Sequence, residues 1–299
     1  MNHPNFFIIG APKAGTTSLY NYLSEHPNIF MSKIKGPHYF ASNLNNKRRL
    51  IKTKEEYLDL FKDAKKQHMC IGEASVLYLH SQNAIKKIYA DYPDSKLIII
   101  LRNPVDVIQS WHAEKVWDCN EDIEDIEIAW EMDKNRSSND KKYKADIFDY
   151  SSIAMYGDQI ESVLHYFPKE QIKIINFDDF TFNTKNIYND VVNFLGLPYH
   201  NKNTFPIKNA YKKYRVKWIQ TFFTHPPRLF LFVLGSLKKI FNIKRLNYMK
   251  NILYLNTYNP PKPILSDRFN KIIINNYYEN IFKLSKMLKK DFIKLWFSK

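Results

Sequence analysis

The chain has 299 residues, 44% hydrophobic and 25% charged, which is enough to bury a substantial core in one large or two small domains. Its two cysteines, Cys70 and Cys119, exclude a disulfide framework, and no Cys/His cluster has metal-ligand spacing, so no metal is expected. The 45 Lys+Arg against 30 Asp+Glu give a formal charge of +15 that favours anionic ligands; the basic residues are dispersed and carry no recognised nucleic-acid motif, so a nucleic-acid partner is not expected.

The first predicted element is a strand over Asn5 to Ile9. It starts so early that no basic-then-apolar leader precedes it, and the expectation is a cytoplasmic protein. The strand runs through Gly10-Ala11-Pro12-Lys13-Ala14-Gly15-Thr16-Thr17-Ser18 into a helix over about 16–25. A strand, a glycine-bracketed turn and a helix N-terminus suit an anion, because backbone N–H groups and the positive end of the dipole converge there. The frame is close to G-x-x-x-x-G-K-[ST], yet Thr16 follows Gly15 and the lysine stands back at position 13. An ammonium from mid-loop, with three hydroxyls at the helix start, suits a short 5′-anion held without metal. The bland alternative is a tight turn with a threonine cap.

Met69 to Ile71 reads as a second strand, followed by a helix over 80–91. Leu97 to Leu101, with three consecutive isoleucines, reads as a fully buried parallel strand. Pro104 then suits the first turn of a helix over 105–117. In magnesium-dependent nucleotide enzymes the strand beside the phosphate loop tends to end in a metal-holding aspartate. Here it ends in Arg102, a planar fork suited to phosphate, with Ser110 about two turns further on. The alternative for Arg102 is a surface ion pair. Two anion stations on neighbouring strand ends imply a nucleotide phosphorylated at two separated positions.

Residues 118–149 read as an insertion at the surface near the acceptor cleft, or as an ordinary charged helix. A helix over 151–167, a strand over Ile172 to Ile175 and a helix over 185–195 complete the alternation. The fold class expected is α/β, a P-loop-like three-layer fold with a central mostly parallel sheet flanked by helices, plus a helical C-terminal extension. The core is expected over 1–205 and the basic, aromatic C-terminal part over 206–299, packed together as one structural domain. Within the latter, Lys212, Lys213 and Arg215 form a basic cluster. The apolar run over 228–241 is too short to span a bilayer; it suits peripheral membrane contact, grip on a lipid-linked acceptor, or burial against the core. A last long helix, Asp267 to Lys290, carries an apolar stripe for docking.

On these motifs the chain resembles sulfotransferases that use 3′-phosphoadenosine 5′-phosphosulfate, of the bacterial type similar to heparan sulfate sulfotransferases. The Pro12-to-Ser18 loop matches the family's 5′-phosphosulfate loop, and Arg102 with Ser110 its 3′-phosphate motif. Gly72-Glu73-Ala74-Ser75, Tyr156-Gly157 and Phe194-Leu195-Gly196-Leu197 add to the likeness, which covers about residues 5–200. The resemblance implies that Lys13, Ala14, Gly15, Thr16, Thr17, Ser18, Arg102, Ser110 and Tyr156 bind the donor. It also places Lys212, Lys213 and Arg215 where the family closes a loop over the 3′-phosphate and adenine. One departure stands out: the position of the family's usual catalytic glutamate, two residues before His38, holds Gly36. The base role then passes to His38, whose imidazole titrates near neutrality, or to Glu73.

The activity implied is sulfuryl transfer, without metal, to a hydroxyl on a saccharide or lipid-linked saccharide, leaving adenosine 3′,5′-bisphosphate. A P-loop kinase is the competing enzyme class, and a non-catalytic nucleotide- or glycan-binding protein the competing alternative motivated by Gly36.

Overall fold

The computed structural model describes residues 2–42, 49–135, 150–206, 211–227 and 252–298. Five strands, β1 (Phe6–Gly10), β2 (Ile29–Met31), β3 (Cys70–Ala74), β4 (Lys96–Leu101) and β5 (Ile172–Asn176), form one sheet in the order β2-β3-β1-β4-β5. Every pairing is parallel; Ile8 at the centre faces Ala74 on one side and Ile98 on the other. Ile8, Ile9 and the β4 run Leu97 to Leu101 have no solvent exposure, as unbroken apolar strands in a covered parallel sheet should. Helices α1 (Thr16–Ser24), α2 (Lys54–Asp59), α3 (Gln82–Asp91), α4 (Pro104–Trp117), α5 (Ile126–Asn135), α6 (Tyr156–Tyr166), α7 (Phe177–Phe182) and α8 (Thr184–Phe194) fill the connections and flank the sheet.

Strand β2 was not expected. Its three residues are too few to display a period, and only pairing with β3 makes them a strand. Strand β3 extends past the expected Ile71 through Gly72 and Glu73. Glycine is weak in a strand, but a Cβ at 72 would fall 2.2 Å from the Phe6 ring, so the neighbouring strand requires it. The helix expected from 151 starts at Tyr156. In the expected surface insertion, Asp125 accepts from the Glu127 and Ile128 amides and starts α5, whose Ala129 and Trp130 are buried in the core. That part is therefore packed rather than superficial; 136–149 lie outside the described residues.

The C-terminal part contributes a short antiparallel strand pair, β6 (Lys213–Tyr214) with β7 (Thr257–Tyr258), and α9 (Lys217–Thr224), α10 (Asp267–Leu288) and α11 (Phe292–Phe297). The expected stripe of α10 is present: Phe269, Ile273, Tyr277, Ile281 and Leu284 are all buried. Helices α6 and α10 approach closely at Gly157, whose amide donates to Asn280 Oδ1 at 2.6 Å. The Trp296 indole on α11 donates to Asn176 at the end of β5, and Asn103 donates to the Trp296 carbonyl. The C-terminus is thus fastened beside Arg102. The apolar run 228–241 lies outside the described residues, among which no helix is long and apolar enough to cross a membrane.

Candidate functional site

The loop after β1 takes up backbone conformations that few residues tolerate. Lys13 has φ 60° and Gly15 φ 80°, both left-handed. Gly15 is suited to this conformation, whereas the non-glycine Lys13 costs on the order of 1–2 kcal/mol, strain of a kind concentrated at functional sites. Gly15 also precedes α1 without contributing a side-chain cap. A Cβ there would come within 3.1–3.2 Å of Phe177 and Phe180, so the α7 aromatics close against the turn.

This loop forms one wall of a cavity of about 400 Å³, lined among others by Lys13, Gly15, Thr16, Thr17, Ser18, Arg102, Ser110 and Lys212. That volume is within the range of small-molecule sites. Strand order explains the convergence: β1 and β4 are neighbours, so Lys13 and Arg102, far apart in sequence, leave the sheet side by side. Arg102 donates from Nη1 to the Lys13 carbonyl at 2.9 Å and to Ser110 Oγ at 3.4 Å. Its Nη2 stands 3.3 Å from Asp106, and its plane lies 4.4 Å over the Phe177 ring. Among the described residues its buried Nε has no hydrogen-bond partner, a donor left over for an anion.

Two further lysines line the cavity that sequence reading missed, Lys35 and Lys262. Burial is the main cause holding the Lys35 ammonium down at about 8; Lys13 adds to the fall and Glu114 opposes it. Lys262, between prolines 261 and 263, stands 3.4 Å from Asp106, and burial also lowers its titration. The Lys212 ammonium lies 3.3 Å above the Trp117 ring and is likewise lowered by burial. No local pattern marks Lys35 or Lys262; the tertiary fold brings them together with Lys212. Among the described residues the lining includes a single carboxylate, Glu114, which stands 3.3 Å from Lys13 Nζ.

Several residues singled out from sequence stand elsewhere. Ala14 is fully buried in the loop itself. Glu73 is fully buried at the end of β3 and does not line the cavity; burial pushes its carboxyl up to about 8, against hydrogen bonds from Tyr78 and Ser75. His38 takes φ 53°, donates its amide to Ser75 Oγ and lies outside the cavity lining. Its Nε2 is 3.2 Å from where a Cβ at position 36 would stand, so the imidazole fills the room a side chain there would use. Tyr156 is fully buried against Trp296, behind the cavity wall. Lys213 and Arg215 turn to the β6–β7 pair: Lys213 lines a second cavity of about 300 Å³, and the Arg215 guanidinium lies over Tyr258. The second cavity shares Ala113, Trp117, Tyr211 and Lys212 with the first, so the two adjoin. Among the described residues no group of three or more His, Cys, Asp or Glu side chains assembles a metal site.

A family model described as "Sulfotransferase domain" matches residues 3–223. Carbohydrate sulfotransferase 15 of Mus musculus is 27% identical over 65% of this chain and 44% of its own length. Bifunctional heparan sulfate N-deacetylase/N-sulfotransferase 3 of Homo sapiens is 30% identical over 66% of this chain and 23% of its own. The chain therefore spans less than half the length of these curated relatives. Among solved structures, a sulfotransferase from Alicyclobacillus acidocaldarius shares the fold with a TM-score of 0.70 at 22% identity, covering 99% of both chains.

Proposed function

The chain belongs to the sulfotransferase domain family, and on that premise we propose that it moves a sulfuryl group from 3′-phosphoadenosine 5′-phosphosulfate to a saccharide hydroxyl. The observation that carries the donor is the Arg102 fork, which ties the Lys13 loop to Ser110 within one cavity and keeps a buried Nε to spare. Lys13, with Thr16 and Thr17, neutralises charge growing on the 5′-phosphate as it leaves. Arg102 and Ser110 hold the 3′-phosphate, so a donor lacking it forfeits charge-assisted hydrogen bonds. Such transfer depends on positioning and on charge stabilisation more than on covalent help from the protein. The saccharide acceptor is supported by the relatives named for carbohydrate and heparan sulfate sulfation. We seat it in the second cavity, which adjoins the first and is lined by Trp117, Tyr211, Tyr214 and Tyr258 together with Glu124, Asp125 and Glu127.

Calorimetry in EDTA against adenosine 3′,5′-bisphosphate, ATP and 5′-AMP tests the donor. The bisphosphate binds best, and Arg102→Ala weakens it by about 10- to 100-fold, the worth of one or two charged hydrogen bonds. Preference for ATP, or binding only with magnesium, overturns the reading in favour of a kinase.

A further inference from the structure

A base must take the acceptor's proton, and the two residues proposed from sequence lie outside the cavity. Glu73 has no solvent exposure, and His38 folds back over Gly36. Among the described residues the lining of the cavity that holds Lys13 contains one carboxylate, Glu114; the adjoining cavity adds Glu124, Asp125 and Glu127, none of which lines the space around Lys13. It lies on α4 one turn after Ser110, and residues four apart share a helix face. The face that presents Ser110 to the 3′-phosphate thus presents Glu114 about 6 Å further along, at 1.5 Å per residue. There it meets Lys13, at the 5′ end of the donor, and its side chain is 40% exposed, so an acceptor can reach it.

We infer that Glu114 is the general base of this chain, replacing from α4 the carboxylate that Gly36 removes from the family's usual position. The inference rests on the sulfotransferase reading above. With no donor bound, Glu114 pairs with Lys13 at 3.3 Å. The phosphosulfate draws the Lys13 ammonium away, which leaves the Glu114 carboxylate open to the acceptor hydroxyl once the sulfuryl group is in place. Glu114 then takes the hydroxyl proton as the acceptor oxygen forms its bond to sulfur. The bond from sulfur to the 5′-phosphate oxygen breaks, its electron pair staying on that oxygen beside Lys13. The products are a sulfate ester, adenosine 3′,5′-bisphosphate and protonated Glu114, which releases its proton to solvent.

The test compares Glu114→Gln with the parent chain. The donor is 3′-phosphoadenosine 5′-phosphosulfate; 4-nitrophenyl glycosides serve as acceptors, with water as the acceptor where no glycoside serves. Release of bisphosphate is the rate readout, and calorimetry gives bisphosphate affinity. The expected result is a fall in turnover of about 10²-fold or more, with affinity unchanged or tighter because a negative charge has left an anion site. The acid limb of the pH–rate profile disappears in E114Q and persists in H38N. Turnover within threefold of the parent overturns the inference. So does a parallel loss of affinity and turnover, which would make Glu114 only a holder of Lys13. A parent chain that neither binds the bisphosphate nor cleaves the donor overturns the sulfotransferase reading itself, and the inference with it.

Discussion

Lys35 shows how much a single side chain changes when the fold surrounds it with others. In sequence it is one lysine of 45 basic residues; in the structure it lines the cavity near Lys13, with burial holding its titration at about 8. The folded value lies below the ordinary one, so Lys35 is charged below about pH 8 and neutral above it in the free chain. Bisphosphate affinity should therefore fall as pH rises through 8, and in Lys35→Met the fall should flatten. At pH 7 the same variant should bind about tenfold more weakly, for loss of one charged hydrogen bond. Its melting temperature should be equal or higher, because the fold no longer buries an ammonium. Calorimetry across pH, alongside thermal melts, checks both. An unchanged pH profile would remove Lys35 from the donor site.

At the scale of elements, the end of β3 holds an acid in the core. Glu73 sits among Ser75, Tyr78 and Tyr57, and at neutral pH it is mostly protonated, with a folded value of about 8 against 4.5. A raised value in the fold means that the stability associated with the neutral acid is complete below about pH 4.5. It declines as pH rises from there through 8, at up to about 1.4 kcal/mol per pH unit. Glu73→Gln, which keeps the shape without the titration, should flatten that decline in melts between pH 5 and 9. A parent and variant falling in parallel would show that Glu73 does not carry it. Helix α4 illustrates the functional counterpart: the run from Pro104 to Trp117 carries Asp106 on Arg102, Ser110 one turn on and Glu114 the next, aligned on one face. One rigid element thus sets the spacing between the contacts to Arg102 and to Lys13.

At the scale of the whole molecule, the C-terminus braces the site although it lies nearly 200 residues from Arg102 in sequence. Trp296 is buried against Tyr156 and Phe292, bonds Asn176 at the end of β5, and receives Asn103 at the start of α4. Trp296→Ala should cost about 3–5 kcal/mol, as expected for a buried aromatic. It should also weaken bisphosphate binding at temperatures where the variant is still folded, because Asn103 is next to Arg102. Denaturant melts and calorimetry measure the two effects. Full stability with weakened binding would show that Trp296 serves the site alone.

The parallel core and the anion loop were legible in sequence because their signals are local. Buried β4 is a continuous apolar run, α10 carries its stripe at helical spacing, and the turn from Gly10 to Ser18 has the glycines and hydroxyls of an anion site within nine residues. Local chemistry also marked Arg102, between β4 and α4, and Ser110, about two turns further on in α4. By contrast β2 depends on its partner strand, and the placement of Glu73 and His38 outside the cavity depends on how the loop over 32–41 folds across the end of β3. The strand order that sets β1 beside β4 gathers Lys13, Lys35, Arg102, Glu114, Lys212 and Lys262 around one space. Residues that meet only through long-range packing leave no period or spacing in the chain. The sequence alone therefore determined a glycine-bracketed loop suited to an anion at Lys13, while the tertiary structure decided which cations and which carboxylate share that cavity.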